Sequence, residues 1–135
     1  MQFSKSDFSK RKAADVLIIP FWKGEKKAEL ACEEKGILSG LKGILEDFCA
    51  KSCKCSFYYP PSQKEKRFLL LGLGEKEAIS LENIRKAYAA AVNFCKSYSI
   101  KKANVLFPKI VDLLYEDLVQ AVSEGICLAN YTFQE

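Results

Sequence analysis

Residues 67–74 read Arg-Phe-Leu-Leu-Leu-Gly-Leu-Gly, and this stretch decides the fold class. Its four consecutive apolar residues, 68–71, do not alternate with polar ones, which is typical of a strand buried on both faces. Gly72 and Gly74 then end the strand and allow the backbone to turn sharply. The stretch therefore predicts a buried central strand followed by a glycine turn.

A helix is predicted behind this turn, after Ser80, a residue type that suits an N-cap. Apolar residues recur there every three or four positions and so share one helix face. They are Leu81, Ile84, Tyr88, Ala91, Cys95 and Tyr98. A second short apolar run, residues 103–107, follows the helix. Strand, helix and strand form a βαβ unit, which we expect at the centre of the fold.

The flanking segments supply further elements. Residues 14–19 are a buried-strand candidate that we expect to stop at Pro20, and helices are expected over residues 26–34 and 37–50. Residues 54–59 alternate between apolar and polar, which predicts a half-exposed strand that forms an edge hairpin with the central strand. Asp112 is expected to cap a last helix. The predicted apolar face of that helix is Leu114, Leu118, Ala121, Val122, Gly125, Ile126 and Ala129.

This order of elements predicts an α/β protein. Buried strands that alternate with helices favour a three-layer α/β/α sandwich around a mixed, largely parallel sheet. We expect residues 1–13 to be a polar amino-terminal segment, residues 14–129 to be the domain, and residues 130–135 to begin a linker. The last segment carries two aromatic residues with nothing behind them to pack against, so we expect the chain to continue.

Composition and charge indicate an ordinary globular domain. The 135 residues are 49% hydrophobic and 28% charged, and the net charge is +4. The basic residues are scattered in small groups, whereas nucleic-acid binders concentrate them on one face. No apolar stretch is long enough to span a membrane and the start has no secretory pattern, so we expect a cytoplasmic protein. In that compartment the six cysteines are expected to be reduced, with Cys95 and Cys127 at apolar helix positions.

No catalytic, cofactor-binding or metal-binding residue is predicted in this chain. It contains no histidine, which removes the commonest general base and the histidine-based zinc sites. Cys49, Cys53 and Cys55 lack a second ligand pair at a suitable spacing and are expected on different elements. The paired carboxylates at 33–34, 46–47 and 116–117 are expected on solvated helix faces.

The glycine turn invites comparison with dinucleotide-binding loops. That fingerprint needs a third glycine where this chain has Glu77, and its helix begins at the loop itself. Two carboxylates, Glu75 and Glu77, also stand where a pyrophosphate would lie. These departures favour a glycine turn without a ligand.

Three stretches together resemble the leucyl aminopeptidase (cytosol aminopeptidase) family. They are Ala-Asp-Val-Leu-Ile-Ile-Pro-Phe from Ala14, Phe-Leu-Leu-Leu-Gly-Leu-Gly-Glu from Phe68, and Glu-Gly-Ile-Cys-Leu-Ala-Asn-Tyr-Thr-Phe from Glu124. The resemblance covers nearly the whole chain but only the amino-terminal part of the family's protein. It implies a domain similar to a macro domain, which agrees with the fold class above.

The resemblance also implies a parent enzyme. Members of this family are cytoplasmic hexamers that remove amino-terminal residues from peptides with two divalent metal ions, typically zinc, manganese or magnesium. Two such ions polarise the scissile carbonyl and activate a bridging water. The family's metal-binding segments, including its Asn-Thr-Asp-Ala-Glu-Gly-Arg signature, lie in a carboxy-terminal domain that has no counterpart here. The chain is thus expected to be an inactive amino-terminal domain whose partners are its own catalytic domain and further copies of the parent.

Two other functions remain open at this stage. A stand-alone macro-like module would bind ADP-ribose or a nucleotide in the crevice at the carboxyl ends of its strands. A nucleic-acid-binding accessory domain would show binding that weakens steeply with salt, a role that the +4 charge permits but the scattered lysines do not favour.

Overall fold

The computed structural model describes residues 14–32, 36, 41–60 and 65–134, and five strands in these ranges form one mixed sheet. The strands are β1 (Val16–Trp22), β2 (Glu29–Leu30), β3 (Cys55–Tyr58), β4 (Arg67–Gly72) and β5 (Ala103–Val105). The helices are α1 (Lys42–Asp47), α2 (Leu81–Ser97) and α3 (Tyr115–Gln134), with a short 3₁₀ turn at Lys76–Ala78. Within those ranges, no helix combines the length and apolarity that crossing a membrane requires.

Strand β1 is the centre of the sheet. It pairs in parallel with β4 on one side, and on the other side in parallel with β5 and antiparallel with β2. The predicted βαβ unit is present as β4–α2–β5, but β1 lies between its two strands. All seven residues of β1 are buried, because it has strands on both sides and helices on both faces.

Pro20 does not end β1, as we had expected from the sequence. Residues 16–18 pair with β5 and residues 21–22 pair with β2, so Pro20 lies where the neighbour changes. A proline is tolerated at such a place because no N–H is needed there. Its carbonyl still accepts a hydrogen bond from the amide of Ala31, at 3.0 Å.

Helices cover both faces of the sheet, which confirms the three-layer α/β/α architecture. On one face α2 and α3 pack over Ile18, Leu69 and Leu71. On the other face α1 and its flanking residues pack over the remaining core residues of β1 and β4. These are Leu17, Ile19, Phe21, Phe68 and Leu70. Such burial is the main source of stability, because each large apolar side chain removed from water contributes roughly 1.5–3 kcal/mol.

Two local predictions are confirmed next to the central strand. Strands β3 and β4 form an antiparallel pair at the sheet edge, with Tyr58 opposite Phe68. Helix α2 begins after Ser80, whose hydroxyl accepts a hydrogen bond from the amide of Asn83 at 3.2 Å. The apolar face of α2 is buried at Ile84, Tyr88, Ala91 and Cys95.

The predictions for the segment between β1 and β3 were wrong. A two-residue strand, β2, lies inside the segment 26–34 for which we predicted a helix. Of the helix predicted over residues 37–50, the described residues contain α1, residues 42–47, and residues 48–50 are not helical. Residues 33–35 and 37–40, like the predicted polar segment 1–13, lie outside the described residues. The periodicity of apolar residues predicts the wrong structure here because the edge of β1 offers backbone hydrogen bonds that a strand can accept and a helix cannot use.

The start of the last helix also differs from the prediction. Helix α3 begins at Tyr115, three residues after Asp112, which lies in a turn. Leu114 therefore precedes the helix and is exposed, and Cys127 lies on the outer side of α3. The helix continues to Gln134, so it includes most of the segment 130–135 that we predicted as the start of a linker.

Candidate functional site

The carboxyl ends of β1, β4 and β5 meet at one edge of the sheet, where ligands bind in many open α/β folds. The glycine turn, Gly72 to Gly74, lies there at the end of β4. A phosphate-binding turn must offer free backbone N–H groups. The three N–H groups of this turn are instead bonded to carbonyl oxygens of Lys54, Phe21 and Ala50, at 2.8, 2.9 and 3.0 Å. The turn therefore has no backbone donor left for a phosphate.

The glycines serve close contact between chain segments. A β-carbon on Gly72 would lie 2.2 Å from the carbonyl oxygen of Lys51, so the strand passes directly against the loop before β3. Gly74 has a φ of +83°, a conformation that residues with a side chain adopt at a cost. In addition, six residues separate Gly74 from the start of α2. These observations give the glycines of the turn a structural role.

The loop before β3 meets Gly72 through a β-bulge. The amide of Cys53 donates a hydrogen bond to the carbonyl oxygen of Gly72, and the amide of Gly72 donates one to the carbonyl oxygen of Lys54. Cys53 and Lys54 therefore both lie opposite the single residue Gly72. Cys53 takes the left-handed conformation, with a φ of 67°, that such bulges usually give to glycine. The bulge and the glycine turn thus lock the loop before β3 onto the end of β4.

The cysteines do not form a reactive centre. Cys49 and Cys53 are exposed in the loop between α1 and β3, and Cys55 begins β3, so Cys49 is not on the helix that we predicted for it. Burial raises the pKa of the Cys55 thiol from 9.0 to about 12 and that of Cys95 to about 11. Both are neutral thiols at physiological pH, whereas nucleophiles and metal ligands are thiolates. All six cysteines lie in the described ranges, and none of them forms a disulfide.

Metal-binding side chains are not gathered in the described part of the chain. No group of three or more His, Cys, Asp or Glu residues is placed there to hold an ion. The carboxylate pairs that lie in this part are on helices: Glu46 and Asp47 are exposed on α1, and Glu116 and Asp117 are in the first turn of α3. Negative charge at a helix start stabilises the helix dipole, so the second pair has a structural role.

One shallow groove of about 280 Å³ opens between α1 and β3. Asp47, Lys54 and Ser56 are its polar lining, and Ile44, Phe48, Cys49 and Cys55 complete it. Ligand pockets for small molecules are usually larger and more enclosed, at roughly 300–1,000 Å³. The groove lies beside the carboxyl end of β4, because Lys54 and Cys55 lie opposite Gly72 and Leu71.

The sequence analysis missed one buried carboxylate. The side chain of Glu65, just before β4, is buried and accepts a hydrogen bond from the side-chain amide of Asn104 at 2.6 Å. The pair joins the start of β4 to β5, at the sheet end opposite the glycine turn. Nothing in the local sequence separates Glu65 from the exposed Lys66 beside it.

The comparisons with known proteins identify the family. The model of the cytosol aminopeptidase family, N-terminal domain, matches residues 18–135. A probable cytosol aminopeptidase of Protochlamydia amoebophila is 36% identical over 126 residues, which are 92% of this chain and 25% of the relative. One of Chlamydia caviae is 36% identical over 134 residues, or 96% of this chain and 27% of the relative. The chain thus spans about a quarter of the length of these relatives.

Two solved structures share the fold. The bottromycin maturation enzyme BotP superposes with a TM-score of 0.63 at 19% identity, over 87% of this chain and 23% of that one. The macrodomain of Mycobacterium tuberculosis DarG superposes with a TM-score of 0.69 at 12% identity, over 93% of this chain and 89% of that one. The macro-domain-like fold is therefore confirmed, and the family match shows that the chain belongs to the cytosol aminopeptidase family, as its N-terminal domain.

Proposed function

We propose that this chain is the non-catalytic amino-terminal domain of a longer aminopeptidase that removes amino-terminal residues from peptides. The observation that supports the proposal most strongly is the extent of the family match, which covers residues 18–135 here but a quarter of each relative. The catalytic machinery would then lie in the three quarters of the protein that this chain does not include.

The chemistry of the described residues agrees with this division. A two-metal site needs several carboxylates or other oxygen ligands around ions about 3.5–4 Å apart. The carboxylates described here do not gather into a group that could hold an ion, and Glu65 is bonded to Asn104. We therefore place the two divalent ions, zinc, manganese or magnesium, in the catalytic domain and derive no catalytic step from this chain.

The role left for this domain is assembly and control of access to the catalytic domain. We propose that the parent is a cytoplasmic homo-hexamer, as its family resemblance implies. The parent can be compared with a form that lacks residues 14–129. The expected result is an altered oligomeric mass and altered KM for peptides, with both metal ions retained per chain. Unchanged mass and unchanged KM would contradict this role.

The direct test is an activity assay on leucine p-nitroanilide with added manganese. The 135-residue chain is expected to be inactive, and the complete parent, purified in the same way, to be active. Turnover by the chain alone that persists through stringent purification would overturn the proposal. Reading the coding region beyond Glu135 provides an independent check, because the metal-binding signature Asn-Thr-Asp-Ala-Glu-Gly-Arg is expected there.

ADP-ribose binding is the less supported alternative. The macro-domain-like fold is compatible with it, but the three amides of the glycine turn are already bonded to carbonyl groups. Calorimetry with ADP-ribose is expected to give no heat of binding, and micromolar affinity would revive this alternative. Nucleic-acid binding also stays a prediction, and retention on DNA at low salt would be needed to support it.

A further inference from the structure

An aromatic cluster covers the edge of the sheet where β3 meets the end of α2. It consists of Phe57, Tyr59, Phe94 and Tyr98. The ring of Phe57 is at the centre, with its centroid 4.9 Å from those of Phe94 and Tyr98 and 6.4 Å from that of Tyr59. Tyr59 and Tyr98 are 60% and 55% exposed. The cluster therefore presents two open ring surfaces to whatever approaches β3.

The guanidinium group of Arg67 lies against this cluster. The guanidinium carbon of Arg67 is 5.4 Å from the ring centroid of Phe57 and 5.7 Å from that of Tyr59. Its Nε is buried and has no hydrogen-bond partner. In the part of the chain that the structure describes, the ion pairs are those of Arg85, and no carboxylate pairs with Arg67. Ring faces attract a cation, but a carboxylate satisfies the planar donor fork of arginine far better.

The neighbouring thiols do not supply the missing negative charge. The positive charge of Arg67 lowers the pKa of Cys95, yet burial outweighs it and leaves that pKa at about 11. Cys55, on the same side of the sheet, has an even higher pKa because of its burial. Both groups are neutral around pH 7, so neither thiol supplies Arg67 with a negative charge.

Among the residues that the structure describes, strand β3 has one edge without a partner strand. Within the described sheet it pairs with β4 alone. The amide of Gly72 bonds to the oxygen of Lys54, and the alternation of an antiparallel ladder then turns Ser56 and Tyr58 toward β4. The N–H and C=O groups of Cys55 and Phe57 consequently point away from the sheet. An extended peptide can pair with such an edge.

We propose that the edge of β3, the aromatic cluster and Arg67 form a docking site for an extended, acidic peptide segment of a partner protein. The segment pairs as an additional strand with Cys55 and Phe57. One carboxylate of the segment binds the guanidinium of Arg67, and the adjacent side chains pack on Tyr59 and Tyr98. This interface requires no catalytic residue and does not depend on the function proposed above.

Charge selects this occupant over a second copy of the chain. Residues 51–59 contain no acidic side chain but include Lys51 and Lys54, and Lys66 precedes Arg67. Two copies joined through β3 would bring two such basic edges together without a carboxylate for either Arg67. Like charges that face each other oppose pairing, whereas an acidic strand is complementary to this edge.

The test uses the ¹⁵N-labelled chain and three short peptides of alternating threonine and valine that carry a central Glu, Gln or Lys. The Glu peptide is expected to shift the amides of Cys55 and Phe57 and the Nε–H of Arg67. The Gln peptide should bind about fivefold more weakly, because it lacks the charge-assisted bond, and the Lys peptide more weakly still. A Glu peptide N-methylated at alternate residues should lose binding, because it cannot form the ladder.

Variants of the chain test the charge of Arg67 separately from the rest of the docking site. Arg67→Gln is expected to weaken the Glu peptide about tenfold and to abolish its advantage over the Gln peptide. Lys86→Gln removes one positive charge from the exposed side of α2 and is the matched control, which should bind normally. If Arg67→Gln does not fold, the three peptides on the unchanged chain still decide the matter.

Several results would overturn the proposal. They are equal affinity for the three peptides, no shifts at about 1 mM peptide, and shifts confined to surfaces other than β3. Shifts at Cys55 and Phe57 that depend on protein concentration without peptide would show that a second copy covers this edge instead.

Discussion

Gly125 of α3 lies directly against the backbone of Arg85 on α2, so closely that a β-carbon on Gly125 would approach the carbonyl oxygen of Arg85 to 2.3 Å. The two helices can therefore meet only through a residue without a side chain. Around this point Ala87, Ala91, Ala121 and Val122 are buried between the helices or against the sheet. The side chain of Arg85 also bonds to Glu124 at 3.1 Å and to Glu82 on its own helix.

Gly125→Ala should force α2 and α3 apart and lower the free energy of unfolding by roughly 1–3 kcal/mol, because the added methyl group overlaps backbone atoms that cannot turn aside. Urea denaturation measures the change. Gly43→Ala is the control, since a β-carbon at this α1 position meets nothing within 4 Å. It should be neutral or stabilising by up to about 1 kcal/mol. Equal effects of the two substitutions would contradict the close helix contact.

Gly72→Ala should be more damaging than Gly74→Ala. A β-carbon on Gly72 would overlap the backbone of Lys51 at 2.2 Å and break the bonds that hold the bulge, so a loss of about 3 kcal/mol is expected. At Gly74 the nearest atom is the side-chain carbon of Ser52 at 3.4 Å, and only the positive φ opposes alanine, at about 1–2 kcal/mol. Thermal unfolding compares them. A larger loss for Gly74→Ala than for Gly72→Ala would show that Gly72 and the backbone of Lys51 are less close than described.

Tyr88→Phe should destabilise the domain by about 1–2 kcal/mol. The hydroxyl of this fully buried residue donates to the carbonyl oxygen of Leu106 at 2.7 Å, and its removal leaves a carbonyl without its partner. Tyr98→Phe, at the exposed residue that follows the end of α2, should change stability by less than about 0.5 kcal/mol. A neutral effect of Tyr88→Phe in chemical denaturation would mean that water replaces the hydroxyl.

Stability should fall in alkaline solution. Burial raises the folded-state pKa of Cys55 to about 12 and of Cys95 to about 11, and it raises that of Tyr88 well above 10. Between the unfolded and folded pKa values the folded state binds more protons, so the free energy of unfolding decreases as pH rises. The contribution of these raised pKa values to the free energy of unfolding is complete below pH 9 and is lost progressively from about pH 9 to 12.

Urea denaturation at a series of pH values checks this prediction. Cys55→Ala and Cys95→Ala should each make the alkaline decrease less steep, because each removes one buried thiol that must ionise on unfolding. Cys127→Ala, at an exposed position on α3, is the control and should leave the slope unchanged. A slope that the two buried substitutions do not alter would show that these thiols do not account for the decrease.

The elements that depend on one buried stretch were predictable. Strand β4, the cap at Ser80 and the apolar face of α2 follow from residue order alone, since each is fixed by neighbours within a few positions. From the missing third glycine we also predicted a glycine turn without a ligand, and this stays a prediction. Only the structure shows that all three amides of the turn already donate to carbonyl groups.

Elements that depend on distant partners were not predictable. Residues 29–30 become a strand because the end of β1 is available to pair with them, and β1 itself continues through Pro20 because its neighbour changes there. Glu65 is buried because the side-chain amide of Asn104, far along the chain, donates a hydrogen bond to its carboxylate. None of these partners is visible in the local pattern of apolar and polar residues.

The sequence by itself determined the fold class, the buried strand with its helix, and membership of the cytosol aminopeptidase family. These features rest on local periodicity and on short stretches of residues that keep their order along the chain. The tertiary structure alone decided that β1 is the central strand, that Gly125 and Gly72 must be glycine, and that Arg67 lies on aromatic rings with no described carboxylate paired to it. The reason is that ladder pairing, backbone contact and charge compensation depend on residues that only folding brings together.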